Sequence, residues 1–386
     1  MSILSVITQK FTHLFHTQPV IVRSPARINL IGEHTDYNLG FVLPAAIDKE
    51  IIFAVAPNQV GKYRFFAYDI DKYVEIASER ISLQKGQLAW ANYLLGVVSQ
   101  MQALGYQVPT FDCTFGGDIP KGAGLSSSAA LECGLASALN HIFGFQLDKL
   151  SLVKLSQKAE NEFVGVKCGI MDQFANTFGK ANHVIRLDCR DLTYQYYPIQ
   201  LTDYQLLLLD TGVHHSLASS EYNTRRQQCE EGVSILSQYE PNIHSLRDVN
   251  LSILDKYSDK LPFVIWKRCK FIIEENRRVE EVCNALKNND IVAVGKEMFT
   301  SHYGLQYEYE VSCNELDFLT EFSANDSDVV GARMMGGGFG GCTINLVKKQ
   351  SIEIFSEKIQ EAYFSYTSKE LKVYPVNVVD GTSVVG

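Results

Sequence analysis

Residues 27–40 read RINLIGEHTDYNLG, inside the longer run RSPARINLIGEHTDYNLGFVLPAAI at 23–47. The left part alternates as a strand does, and an apolar strand resumes at Phe41. Between them Gly32, Glu33, His34, Thr35 and Asp36 follow one another with no apolar residue among them. A surface turn accounts for Asp36-Tyr37-Asn38. It does not account for Glu33 and His34 beside a core strand, where an unpartnered polar group is costly. Something is held there that needs polar groups between two core segments.

Four other stretches share this character. At 116–132, GGDIPKGAGLSSSAALE, a strand ends, a glycine-rich turn follows and a helix opens in three serines. Helix N-termini expose unpaired N–H groups and the positive end of the dipole, and glycine lets backbone approach a bulky anion. The combination suits a phosphate chain. Ser126, Ser127 and Ser128 can cap the helix, bond phosphate oxygens or ligate Mg²⁺. The spacing is not that of a Walker loop. At 334–341, MMGGGFGG, five glycines fall in six positions. A dinucleotide fingerprint fails there because a strand, not a helix, follows, and a second wall of the same phosphate site is the better reading. At 158–176, KAENEFVGVKCGIMDQFAN, Asp172 sits between apolar Ile170, Met171 and Phe174. It needs a partner, whether as a helix cap or as a working carboxylate. At 214–231, HHSLASSEYNTRRQQCEE, vicinal His214 and His215 lack a second ligand cluster, so a packing or solvated role is expected of them rather than a metal.

The bulk numbers set limits. The chain has 386 residues, 46% hydrophobic and 20% charged, enough for two domains. A net charge of -9 argues against a nucleic-acid or anionic-membrane partner, yet permits a locally bound anion. The nine cysteines are odd in number and form no C-x-x-C pair, which reads as reduced thiols in a cytoplasmic protein. Ile3, Ile7, Phe11, Leu14 and Phe15 have helical spacing, and Thr8, Gln9 and Lys10 interrupt any signal-peptide core. No apolar run approaches the ~20 residues of a membrane span.

Strand-like and helix-like segments mix along the first half. Mostly helical patterns occupy residues 221–309, and a glycine loop, strand, helix and strand close the chain. The layout is α+β, with halves at 1–185 and 186–386, each a mixed or antiparallel sheet with helices and the site in the cleft between them. No Pro/Gly/Ser linker marks the boundary.

With these stretches together the chain resembles the galactokinases of the GHMP small-molecule kinase family over nearly its whole length. INLIGEHTDYN is close to that family's specific signature. PKGAGLSSSAALE resembles its phosphate-binding motif and GGGFGGCTINLV its third motif, while GIMDQF, SLASSEYNTRR and YEVSCNELDFL match its spellings. The resemblance implies transfer of the γ-phosphoryl group of ATP to the C1 hydroxyl of α-D-galactose. Arg27 and Asp172 would be catalytic, with Asp172 accepting or orienting the hydroxyl proton and Arg27 balancing the developing charge. Glu33, His34, Asp36, Gly169 and Tyr222 would bind sugar beside them. Lys121, Gly122, Ala123, Gly124, Leu125, Ser126, Ser127 and Ser128 would hold ATP, with Trp90 near the adenine. Ser128 and Glu160 would hold Mg²⁺. A monomer that binds these small molecules alone is the expectation.

On this reading the polar turn is explained. Each sugar hydroxyl offers one donor and two acceptor sites, carboxylates take donors bidentately, and an imidazole does either job. A wrong epimer leaves a buried carboxylate unpaired, which discriminates strongly. Alternatives remain: a kinase for a related sugar such as N-acetylgalactosamine or arabinose, or a galactose- and ATP-binding sensor without turnover. The intact LSSSAAL and MDQ stretches speak against the sensor. Ala26 stands where the family usually has glycine, harmless if φ is negative and strained if it is not. Tyr307-Glu308 replace a pair of acids.

Overall fold

The helix expected from Ile3, Ile7 and Phe11 spans Ile3–Phe15 (α1), with Ser2 as its cap and Ile7 and Phe11 buried against the first sheet. The computed structural model describes residues 2–79, 81–120, 122–214 and 218–385. Beyond α1 come β1 (Val20–Asn29), β2 (Phe41–Val42), β3 (Pro44–Pro57), β4 (Lys62–Ala67) and β5 (Lys72–Ala77). Next are α2 (Asn92–Ala103), β6 (Phe111–Gly117), α3 (Ser127–Phe143), α4 (Lys149–Lys158) and α5 (Met171–Phe178). Asp148 caps α4 by accepting the Ser151 N–H at 2.7 Å, as its place before the helix predicts. A wide π-helical turn, Ala159–Val164, prolongs α4 and carries Glu160.

The chain continues through β7 (His183–Asp188), β8 (Tyr194–Pro198) and β9 (Tyr204–His214). The helical stretch holds α6 (Ala218–Leu236), α7 (Leu251–Lys256), α8 (Phe263–Lys287), α9 (Ile291–Tyr303) and α10 (Asn314–Ala324). Then follow β10 (Val329–Met334), β11 (Gly340–Lys348), α11 (Ile352–Thr367), β12 (Lys372–Val376) and β13 (Ser383–Val385).

Among the described residues three sheets result. The first is mixed, in the order β13-β1-β3-β6-β4-β5, with only β4 and β6 parallel. The second, β10-β11-β9-β12, and the small third, β2-β7-β8, are antiparallel. The edge strands β5 and β13 were not legible in the sequence. In β5 (KYVEIA) only Val74 and Ile76 are buried, and β13 is exposed throughout. β13 pairs with β1, so the chain's last strand returns to the sheet of the first half.

The largest apolar cluster joins both halves. Ile28, Leu30 and Ile31 meet Leu206 and Leu208 of β9, Ile344 and Leu346 of β11, and Val279 and Val282 of α8. This packing fixes the end of β1, and with it the polar turn, against elements that arrive hundreds of residues later. Among the described residues no helix is long and apolar enough to cross a membrane.

Candidate active site

β1 delivers Arg27 to the cleft with its side chain almost fully buried. Ala26 before it has a negative φ, so the methyl brings no backbone strain. The Arg27 guanidinium meets Asp172, in the first turn of α5, through two bonds: Nε to Oδ1 at 2.7 Å and Nη2 to Oδ2 at 3.1 Å. Its Nη1 donates to the Gly124 carbonyl at 2.6 Å, tying the pair to the glycine loop. The partner that residue 172 requires is therefore an arginine in bidentate geometry, which fixes both position and orientation.

The serines behave differently from a simple capping series. Ser126 precedes α3 in the left-handed region, φ 58°, and caps nothing. Its hydroxyl instead bonds Oδ2 of Asp172. Ser127 is exposed and Ser128 half-buried. Lys121 lies outside the described residues, as does His215; the side chain of His214 does too. Gly122 is exposed and Ala123 and Leu125 are buried. The glycine run packs on this loop: a methyl built on Gly336 or Gly341 would meet the backbone of Gly124 or Ala123 at 3.4 Å. The second-wall reading of that run thus has a physical contact behind it. Trp90 packs on Phe115, centroids 5.8 Å apart, with its indole N–H buried and unpartnered.

The polar turn is held by groups that the sequence did not reveal. Arg333 of β10, with no exposed surface, donates to the carbonyls of Asn29 at 2.5 Å, Leu30 at 2.9 Å and Met334 at 2.8 Å. It also donates to Glu33 Oε1 at 2.9 Å, which the Gly336 N–H reaches at 2.8 Å. From α8, Glu275 Oε1 accepts the Gly32 N–H at 2.9 Å and the Ser301 hydroxyl at 2.8 Å. Burial pushes the Glu275 carboxyl up, but Arg278, at 2.6 Å, and Arg333 draw it below its usual range. The only signals in sequence were an arginine before the glycine run and a glutamate on a helix, neither distinguishable from surface charge.

His34 also adopts the left-handed region, φ 63°, which turns its ring inward. Asp36 is pushed up to about 7 by burial, with Asp172 and Glu33 adding like-charge repulsion. Gly169 is required by close approach: any Cβ there would overlap the Asp36 carboxylate. Around Arg27 and Asp172, the residues Glu33, His34, Asp36, Gly169 and Tyr222 line one cavity of about 70 Å³. A second cavity of about 460 Å³ opens beside it past Glu160 and Gly338, and Asp172, Cys168, Tyr222 and Gly337 line both. A small polar chamber and a larger one thus meet at one carboxylate.

Glu160 lies near Ser128, whose hydroxyl favours its ionised form against the effect of burial. Its Oε2 accepts from Gln173 Nε2 at 2.7 Å, and the same amide reaches Glu132 Oε2 at 3.3 Å. Burial raises the carboxyls of both glutamates. Among the described residues no group of three or more His, Cys, Asp or Glu side chains is placed to hold a metal. One hydroxyl and one carboxylate do fit a hard cation that takes its other ligands from phosphate and water.

Three family models match the chain: the galactokinase galactose-binding signature over residues 9–57, the GHMP kinases N terminal domain over 92–180 and the GHMP kinases C terminal over 284–365. A galactokinase of Thermotoga neapolitana is 42% identical over 364 residues, covering 94% of this chain and 99% of its own. One from Roseiflexus is 38% identical, covering 98% and 96%. The crystal structure of Lactococcus lactis galactokinase complexed with galactose superposes with a TM-score of 0.95 at 32% identity, covering 100% of both chains. The Methanococcus jannaschii mevalonate kinase, at 17% identity and a TM-score of 0.67, shares the fold.

Proposed function

The chain belongs to the galactokinases of the GHMP kinase family, and on that premise we propose that it moves the γ-phosphoryl group of ATP to the C1 hydroxyl of α-D-galactose where its two cavities meet. The enzyme is an ATP-dependent sugar kinase. The observation that carries the assignment of chambers is Asp172, which lines both and is clamped by Arg27. Sugar occupies the small polar chamber, and the triphosphate reaches it from the larger one along the glycine loop.

The acceptor hydroxyl loses its proton as its oxygen forms the new bond to γ-phosphorus and the bond from phosphorus to the β,γ-bridging oxygen breaks. A carboxylate has about four lone-pair positions. Arg27 takes one on each oxygen of Asp172 and Ser126 takes a second on Oδ2. The position left open is on Oδ1, and there the sugar hydroxyl donates. Asp172 orients that hydroxyl and receives its proton, while Arg27 stabilises negative charge gathering at the attacking oxygen.

Glu33, His34, Asp36 and Tyr222 bind the remaining hydroxyls, and the Gly169 backbone closes the chamber. The loop from Lys121 to Ser128 binds the phosphates through its N–H groups and hydroxyls, with Trp90 toward the adenine. Ser128 and Glu160 would hold Mg²⁺, which would supply neutralisation of the phosphate charge. The two domains follow the halves at 1–185 and 186–386, except that this boundary falls inside β7 and β13 belongs to the sheet of the first half. All nine cysteines are unpaired, in keeping with a cytoplasmic protein, and the reading is of a monomer.

The test is ADP release with ATP and Mg²⁺ against galactose, glucose, N-acetylgalactosamine, arabinose and mevalonate. Turnover confined to galactose, with phosphate on C1, is the expected result. Preference for another sugar would overturn the chamber assignment. Galactose binding without ADP would turn the reading to a sensor.

A further inference from the structure

β1 does not run straight into Arg27. Its pairing with β3 slips between Pro25, opposite Glu50, and Ala26, opposite Ile47, which leaves Asp48 and Lys49 unmatched. A bulge of this kind bends the strands and leaves residues unpaired. Here it lies directly before the arginine that clamps Asp172. A bend at that place aims the arginine, so whatever fixes the bend fixes the aim.

The fixing segment comes from far along the chain. After β12 the chain leaves the second sheet, crosses the bulge and joins the first sheet as β13. On the way Asn377 grips the unmatched Asp48. Its N–H reaches Oδ1 at 3.0 Å, its Nδ2 reaches Oδ2 at 2.7 Å, and its carbonyl accepts the Asp48 N–H at 3.1 Å. Further on the segment meets Asn176, which is 1% exposed and lies one turn along α5 from Asp172. Asn176 Nδ2 donates to the Pro25 carbonyl at 2.5 Å. A carbonyl can only accept, so this contact fixes which end of the amide is nitrogen. The amide oxygen then accepts from the Thr382 hydroxyl, and the Thr382 N–H donates to the Asn176 carbonyl at 2.7 Å. Gly381 lies so close that a Cβ on it would stand 2.7 Å from the carbonyl oxygens of Asn176 and Thr177. One side chain thus joins the bulge before Arg27, the helix of Asp172 and the crossing segment. Neither Asn176 nor Thr382 lines either cavity.

We propose that residues 377–385 form a clasp that sets Arg27 against Asp172, with Asn176 and Thr382 as positioning residues. The proposal rests on the kinase reading of the cleft. Arg27 stands on a sheet and Asp172 on a helix, so their bidentate bonds persist only while strand and helix keep one distance and one angle. The clasp ties the strand just before Arg27 to the helix just after Asp172, and the acceptor hydroxyl inherits that alignment.

The test is Thr382→Val, which keeps the size and removes the hydroxyl. kcat should fall about 10-fold, short of the 10²-fold that a shift of about 1 Å costs. KM for galactose and for ATP should stay within about twofold, and Thr382→Ser should restore kcat. Placed on Asp172→Asn, the same change should bring no further loss, because it acts through Asp172. A merely structural role would lower the double variant by the same factor again, and that result overturns the clasp. So does an unchanged kcat in Thr382→Val. Should that variant not fold, Asn377→Ala loosens the exposed end of the clasp, and there a smaller loss of kcat at constant KM is expected; an unchanged kcat would again overturn it. A further readout needs no substrate. Exchange of the Arg27 Nε–H with water, followed by ¹⁵N NMR and assigned by its absence in Arg27→Lys, should quicken in Thr382→Val but not in Thr382→Ser. Unchanged exchange in Thr382→Val overturns the clasp, whereas a wild type that phosphorylates no sugar overturns the kinase reading and leaves this readout standing.

Discussion

The turn at 32–40 and the loop at 118–126 face one cleft but are held in opposite ways. The turn is fixed by buried charged side chains, Arg333 and Glu275, that reach it from the second half of the chain. The loop is held through backbone: the Arg27 N–H donates to the Leu125 carbonyl at 3.4 Å, its guanidinium bonds the Gly124 carbonyl, and glycines lean on it. The ligands explain the contrast. Phosphate oxygens are alike in every nucleotide, and N–H groups read them without specific side chains. Sugars differ by the placement of a hydroxyl, and only side chains fixed in direction can tell one epimer from another.

The sharpest break would come at the carboxylate shared by both. Asp172→Asn should lower kcat by about 10²- to 10⁴-fold while galactose and ATP each bind within a few-fold of wild type. Calorimetry beside steady-state kinetics measures this; near-normal turnover would remove Asp172 from the mechanism. Next is the turn's own anchor. Arg333→Met strands the buried Glu33 carboxylate and should cost about 3–5 kcal/mol in urea unfolding, together with sugar binding. A loss under 1 kcal/mol would mean that the turn is not held as described.

The loop should respond more mildly and to one ligand only. Gly124 has φ +74°, and an alanine there meets the Met335 carbonyl at 3.4 Å without clashing. Gly124→Ala therefore pays chiefly the left-handed strain of about 1–2 kcal/mol. KM for ATP should rise about 5- to 30-fold, while galactose affinity measured without nucleotide stays as it was. A matching loss of sugar affinity would erase the distinction between the two regions.

The smallest effect tests the turn by titration. With a value near 7, Asp36 is about half protonated at neutral pH. Hydroxyls that donate to the carboxylate favour its ionised form, so galactose binding at pH 7 should release about half a proton. Binding enthalpies in buffers of different ionisation heat measure the release, which should vanish in Asp36→Asn. Without sugar the sign is opposite to that of an ordinary paired carboxylate. Between pH 4 and 7 the native state keeps a proton that the unfolded chain loses, so stability falls as pH rises through that window, and Asp36→Asn flattens the slope.

Much of the site was legible because its residues lie in short, compositionally odd runs. A glutamate and a histidine beside a core strand, or three serines after glycines, stand out against the strand and helix periodicities around them. The strands and helices that carry these runs fell near their expected places because the apolar periodicity is strong there. Arg333 and Glu275 could not be found that way. Each sits in a helix or strand with unremarkable neighbours, and its meaning lies in a contact across hundreds of residues. Ser126 was legible as a candidate but not in its role, since a left-handed backbone that aims a hydroxyl at Asp172 leaves no mark in composition.

Arg333 and Asn29 are 304 positions apart, and their bond completes the turn. At ribosomal rates of about 5–20 residues per second, roughly 15–60 s separate the synthesis of the two partners. Throughout that interval the emerging turn has no anchor and no chamber to line. Its glutamate, histidine and aspartate can stay hydrated while they wait, at no risk of sticking to a neighbour. A recognition element built from apolar side chains would spend the same minute as an aggregation hazard. The polarity that distinguishes sugars in the finished protein thus also protects the unfinished one on the ribosome.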